Sequence, residues 1–217
     1  MDRKALISVA RSRLDDITKP YLWSDDEIAL YLVEAEREAA ERALLIEDDT
    51  SPLIVEISVK AGVASYRLNS MVLRVERVKL DLQPNILTRV NRETLDARAR
   101  NWQAETGDPA RFIDDVDTLV LYPIPTRADV ARLTVKRLPV KADPANWSPE
   151  IHERHQLRLI DWVLHRAYMK PDADTFNAKR SDAAEVAFAQ SFGIRPDANV
   201  QRKQREKRPI TIKYGGL

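Results

Sequence analysis

From Trp23 to Asp49 the chain reads WSDDEIALYLVEAEREAAERALLIEDD, and this stretch limits how the remainder can fold. Ser24 followed by Glu27 has the form of a capping box, in which each side chain satisfies a backbone N–H that the first helical turn leaves free. Trp23 and Ile28 occupy the positions of a hydrophobic staple. Asp25 and Asp26 sit where the helix dipole favours negative charge. Ile28, Tyr31, Leu32, Ala35, Ala39, Ala43 and Ile46 recur every three or four residues. That spacing predicts an amphipathic framework helix over the whole stretch. The small residues of its second half let another helix approach closely.

A shorter helix is expected before it. Leu6, Val9, Ala10, Arg13, Leu14 and Ile17 follow helical spacing up to Lys19-Pro20, where proline restricts its predecessor. A helix of this length is marginal alone and must dock, most simply on the framework helix. Past Pro52 the period changes to two. Val55, Ile57 and Val59 alternate with polar residues, Ala61-Gly62 can turn the chain, and Tyr66 and Leu68 alternate next. Leu73, Val75 and Val78 continue the pattern with a break in phase that hints at a bulge. Residues 91–100 read as a helical turn. Strands are expected at Arg111–Ile113, Thr118–Tyr122 and Val130–Leu138, with an acidic turn at Asp114–Asp117. At least five short strands, chiefly antiparallel, suit a small sandwich or curled sheet.

Helical patterning returns after Trp147. Ser148 and Pro149 look like an N-cap and a first-turn proline for a helix over Ile151–Met169. Lys170-Pro171 breaks it, and a last helix carries Phe176, Ala183, Ala187, Phe188 and Phe192. Gly193 stands at a left-handed C-cap position, with Ile194 able to fold back and Pro196 preventing resumption. Neither set of helices can form a core alone. The economical fold is therefore α+β. Residues 1–50 and 144–194 form one helical bundle, interrupted by an inserted antiparallel β-rich domain at 51–143, with an extended basic C-terminal arm at 195–217. The alternative is a sheet with all its helices on one face.

A search for chemistry finds little. Cysteine is absent, which excludes disulfides, thiol catalysis and thiolate zinc sites. His152 and His155 stand one turn apart, yet no acid at matching spacing completes a metal motif, and polar or packing roles explain them better. Asp114, Asp115 and Asp117 resemble part of a cation site but read more simply as a solvated turn. Ser65, Ser148 and Ser181 have no nucleophile context, and the five glycines build no phosphate loop. No enzyme, metal or cofactor is expected. The polar N-terminus and the absence of a long apolar run predict neither signal peptide nor membrane span.

Charge is more informative. Residues 24–50 carry ten acids and two bases, whereas residues 195–217 carry seven bases and two acids. Arg195, Arg202, Lys203, Arg205, Lys207 and Arg208 could meet phosphates or an acidic partner, but they lack interleaved stacking aromatics. Ile210, Ile212 and Tyr214 alternate in a way that suits strand addition to another sheet edge. These apolar residues are too sparse for a core, so the arm is expected to order on a partner.

Four stretches in order carry a family resemblance: LISVARSRLDD (residues 6–16), WSDDEI (23–28), GDPARF (107–112) and DTLVLYPIPT (117–126) leading into Leu133–Leu138. Over residues 5 to about 193 the chain resembles tailed-bacteriophage head–tail adaptor proteins, also called connector or head-completion proteins. The resemblance implies a structural ring, usually of twelve copies, at the head–tail junction of a virion assembled in the host cytoplasm. It would lie between the portal and the tail or nozzle protein, with packaged DNA passing through its lumen and no membrane involved. Arg195–Leu217 matches by location the arm that such proteins extend onto the portal. Glu34, Glu36, Glu38 and Glu41, with Glu47, Asp48 and Asp49, could supply an acidic lumen wall. The competing reading is a nucleic-acid-binding accessory protein that grips DNA with the basic tail.

Overall fold

A computed structural model describes residues 1–98, 101–195 and 197. In chain order the elements are α1 (Arg3–Leu14), α2 (Asp25–Ala43), β1 (Ile46–Asp48), α3 (Pro52–Val55), β2 (Glu56–Val59), β3 (Ser65–Arg67) and β4 (Val72–Leu80). There follow β5 (Thr88–Arg89), α4 (Arg92–Arg98), β6 (Thr106–Gly107), β7 (Arg111–Asp114), β8 (Thr118–Tyr122), β9 (Ile124–Pro125) and β10 (Asp129–Arg137). The described chain closes with α5 (Glu153–Gln156), α6 (Leu159–Tyr168) and α7 (Ala178–Phe192). Helices thus flank a central β-rich region, an α+β architecture. Two compact units result, one from Met1–Glu47 with Lys136–Arg195 and one from Asp48–Val135.

In the helical unit, α2 starts as its cap dictates: the Glu27 amide donates to Ser24 Oγ (3.1 Å) and the Ser24 amide to Glu27 Oε2 (3.0 Å). It stops sooner than its periodicity suggests. Leu44 takes a positive φ of 50°, and Ile46, although buried, belongs to β1. α1 also ends early, at Leu14, because Asp15 adopts φ 59°. That reversal turns Asp16 inward, where its carboxylate accepts from Arg11 Nη1 (2.8 Å) and from the Leu22 and Trp23 amides (3.0 and 3.3 Å). Ile17, counted in the helical stripe, is left exposed. Leu6, Ala10, Leu14, Ile28, Leu32, Ala35 and Ala39 form one core with Trp147, Leu159, Ile160, Val163, Phe188 and Phe192. Trp23 lies in that core too, edge-on to Tyr168, its indole N–H donating to Ala167 O (3.2 Å).

The helix expected from Ile151 is replaced by a short turn, α5, followed by α6. Ser148 caps nothing there, because another group takes the amides that a helix start would need capped. The Glu36 carboxylate reaches from α2 and accepts from Trp147 Nε1 (2.7 Å), the Glu150 amide (2.5 Å) and the Ile151 amide (3.0 Å). Glu150 in turn accepts from the Val140 and Lys141 amides (2.7 and 3.0 Å) and from Arg137 (2.8 Å). Burial opposes the charge of Glu150, but these donors outweigh it and hold its carboxyl below the ordinary 4.5. A lowered folded-state pKa gives stability that is present above the ordinary value and lost as pH falls through the lowered one. Glu150→Gln should therefore reduce the melting temperature at neutral pH, and the difference from the parent should close on acidification. Thermal scans from neutral pH down to about pH 3 check this.

α7 begins at Ala178, capped by Asn177 Oδ1 accepting from the Arg180 amide (3.0 Å), so Phe176 lies outside the helix and is exposed. Gly193 closes α7 with φ 89° and ψ 169°, a positive φ but not the left-handed helical well. Ile194 is 86 % exposed and does not fold back onto the helix.

The strands form two four-stranded sheets, ordered β1-β10-β2 with β4 also on β10, and β3-β8-β7-β5. β2 and β10 pair antiparallel with Arg132 opposite Glu56, and Arg132 also pairs with Asp81 (2.8 Å). β7 and β8 are antiparallel, as are β3 and β8. The short pairs β5–β7 and β6–β9 are parallel, so the unit is mixed rather than wholly antiparallel. Phe112, Leu119 and Leu121 share a core with Val75, Val78, Leu133 and Val135, which makes the arrangement a small sandwich. Ile113, Val120 and Tyr122 project to a second cluster with Leu95 and Trp102. Both faces of β8 are therefore covered, which explains its unbroken apolar run. In β4, Glu76 and Arg77 are both exposed between buried Val75 and Val78, the phase break visible in the sequence.

Two local expectations change. Pro52–Val55 forms one helical turn where alternation suggested a strand, since the Ile54 and Val55 amides donate back to Ser51 O (2.9 and 3.0 Å). Asp114, taken as part of a solvated turn, is buried and accepts from Arg89 (2.9 Å) and the Val75 amide (3.3 Å).

Candidate partner-binding surface

Among the described residues, no group of three or more His, Cys, Asp or Glu is placed to hold a metal. His152 caps α5 by accepting from the Arg154 amide (3.3 Å). His155 packs against Phe192, and burial, then the charges of Arg154 and His152, push its pKa down. Ser181 and His165 do meet, with Oγ to Nδ1 at 2.9 Å. Ser181 is fully buried, however, and its hydroxyl also lies 3.1 Å from His165 O, so it braces α6 against α7. No substrate can reach it. No helix among the described residues is long and apolar enough to cross a membrane.

The acidic stretch proves to be largely neutralised in place. Asp25 pairs with Arg11 (2.5 Å), Glu27 with Lys170 (2.8 Å), Glu34 with Arg166 (2.9 Å) and Glu47 with Lys136 (2.8 Å). Glu36 is fully buried. Burial pushes its carboxyl up despite three donors, and the nearby Glu150 charge adds to the rise. Glu38 is buried and paired with Arg42 (2.9 Å), and Asp48 is buried with Oδ1 accepting from the Thr50 and Ser51 amides (2.9 and 3.1 Å). Of the acids assigned to a lumen wall, Glu36, Glu38 and Asp48 are thus taken out of any surface by packing. Glu34, Glu41, Glu47 and Asp49 keep exposure.

Around Glu38 lies an assembly that residue counting did not reveal. Arg42, whose side chain is only 2 % exposed, holds Glu38 through Nε (2.9 Å). Its guanidinium lies 5.3 Å from the Trp162 ring centre and 5.1 Å from that of Phe188. Its Nη1 donates to Gly193 O (3.2 Å) at the close of α7, and Arg195 Nε approaches Glu38 Oε1 (3.5 Å). The Glu38–Arg42 spacing of four was legible as a helix pair. Its reach to Gly193, 151 residues away, had no sequence signal. This corner is where the basic segment begins. Of the residues assigned to the arm, Arg195 is brought into the corner, whereas Arg202, Lys203, Arg205, Lys207, Arg208, Ile210, Ile212 and Tyr214 lie outside the described residues.

A search of curated proteins finds no match. A family model described as SU10 adaptor protein matches residues 1–213, spanning both helical segments, the inserted β-rich region and nearly all of the basic segment. A match of that extent across the architecture just described places the chain in one family, and it belongs to the SU10 adaptor proteins.

Proposed function

We propose that this protein is a structural, non-catalytic head-to-tail adaptor of a bacteriophage particle. It forms a ring of twelve copies between the portal and the tail or nozzle protein, with packaged DNA passing through the lumen without sequence-specific contacts. The observation that carries this reading is the adaptor family's match to residues 1–213. The interrupted helical unit is the fold expected of such adaptors, and side chains that meet inside it serve packing rather than catalysis. In this reading the protein is assembled into the virion in the host cytoplasm.

The segment Arg195–Leu217 is the portal anchor in this proposal. Its 22 residues after Arg195 could span at most roughly 75 Å when extended. Its arginines and lysines would set encounter and register on an acidic partner, and Ile210, Ile212 and Tyr214 would hold the complex. Truncation of residues 196–217 should leave the melting temperature nearly unchanged and abolish capture by purified portal. Absolute quantification of purified particles by mass spectrometry should give as many copies of this chain as of portal. One copy per particle sinks the ring. Tight duplex DNA binding without portal, with a steep salt slope, favours the accessory-protein reading instead.

A further inference from the structure

We propose that Arg42, seated by Glu38, is a positioning residue that fixes the direction in which the chain leaves α7, so that the arm starts already aimed. The inference rests on the arm being the portal anchor. Four observations converge on it. Gly193 has φ 89°, and a Cβ placed there would meet nothing within 4 Å, so glycine is required by the backbone angle and not by crowding. The Gly193 carbonyl, the last group before Ile194, accepts from Arg42 Nη1 (3.2 Å). Arg42 is itself immobilised, being held by Glu38 and set beside the rings of Trp162 and Phe188. Arg195 then returns to the same Glu38 carboxylate at 3.5 Å. The chain is thus gripped on both sides of Ile194.

A helix end needs less than this. The Gly193 amide already donates to Ala189 O (2.8 Å), so α7 is closed without Arg42. What Arg42 adds is a defined origin for the segment that follows. A tether with a fixed origin and direction samples less space, which raises the effective concentration of its binding residues at a site in line with it and lowers the ordering cost on binding. Arg42 is also the right residue type. Its planar fork holds a carboxylate and a carbonyl in one fixed geometry, whereas a lysine ammonium is a compact charge with rotatable donors on a flexible stem.

Since the chain has no cysteine, a spin-label pair can be placed at Arg37→Cys on α2 and Asn199→Cys beyond the corner without background. Pulsed dipolar spectroscopy should give a narrower distance distribution in the parent than in Arg42→Gln, with Arg42→Lys also broadened. Gly193→Ala keeps every side chain of the corner and should broaden or displace the distribution through φ alone. This second variant keeps the test valid if Arg42→Gln unfolds the helical unit. Affinity for purified portal should fall about tenfold in both variants, at melting temperatures close to the parent's. Unchanged distance distributions in Arg42→Gln and Gly193→Ala overturn the inference. So does parental portal affinity in both variants when truncation of residues 196–217 abolishes binding, which leaves the arm as anchor but removes the aiming role. If the truncated chain still binds portal as tightly, it is the anchor reading that fails, while the distances separately report on Arg42.

Discussion

Replacing Arg11 by Met should destabilise the helical unit by about 3–5 kcal/mol, because it leaves a carboxylate buried without its cation. Arg11 is 7 % exposed and Asp16 4 %. Besides Asp16, the guanidinium serves Asp25 through Nη2 (2.5 Å) and Nε (3.1 Å) and Trp23 O (3.0 Å), and it lies 3.6 Å above the Tyr21 ring. One side chain on α1 therefore fixes the loop that delivers Trp23 to the core and Ser24 to its cap. Methionine fills similar space, so the loss measured is chiefly that of charge and hydrogen bonds. Asp25 can hydrate when its partner goes; Asp16 cannot. Pairing Arg11→Met with Asp16→Asn should recover part of the loss, since the neutral side chain leaves no uncompensated charge and its one amide oxygen can still accept from either the Leu22 or the Trp23 amide, which donate to different carboxylate oxygens. Hydrogen exchange over α1 and α2, with denaturant titration, measures both. A cost below about 1 kcal/mol for Arg11→Met would show that water replaces the guanidinium at this site.

What the sequence conveyed follows from the range of the interactions involved. The capping box of α2, the Asn177 cap of α7 and the β7–β8 hairpin all rest on partners close by in the chain. They stand close to where periodicity puts them. Departures occur where a distant side chain takes over a backbone group. Ile17 continues the helical period of α1, but the helix ends at Leu14, where the Asp15 reversal delivers Asp16 to Arg11. Ser148-Pro149 has every local mark of a helix start, yet Glu36, more than a hundred residues earlier, already holds the Glu150 and Ile151 amides. Ile46 keeps the stripe of α2 because a buried strand and a buried helix end need the same residue type.

The candidate surface was legible only in its charge. Ten acids around one helix suggest an acidic face, but counting along the chain cannot see Arg11, Arg166, Lys170 and Lys136 arriving from other elements. It also cannot separate a solvated glutamate from Glu36, since an acid at a buried position of a helix differs from its neighbours only in what lies opposite. The heptad-like spacing of Leu32, Ala35, Glu36 and Ala39 holds a faint signal: Glu36 stands on the apolar side of the helix.

That position gives the other large expected effect. Glu36→Ala should cost the helical unit about 3–5 kcal/mol, since it strands the Trp147 indole N–H and two backbone amides inside the protein. Each unsatisfied buried donor costs about 1–3 kcal/mol, and a methyl group offers none of them an acceptor. Glu36→Gln should cost less, about 1–3 kcal/mol, because the amide oxygen can keep the Glu150 and Ile151 amides while its NH2 faces the indole donor. The pH dependence has a definite sign. Burial raises the Glu36 carboxyl above its ordinary 4.5, so the folded state binds a proton that the unfolded chain has already released. The stability due to Glu36 is then greatest at or below that ordinary value and declines as pH rises through the raised one. Glu36→Gln has no such proton, so the gap between parent and variant should narrow from about pH 4.5 upward. Glu150 titrates in the opposite direction, and placing Glu150→Gln in both backgrounds separates the two carboxyls. Chemical denaturation across that range gives the result. A gap that widens with pH means that the three donors outweigh burial and that Glu36 is held as a stabilised carboxylate.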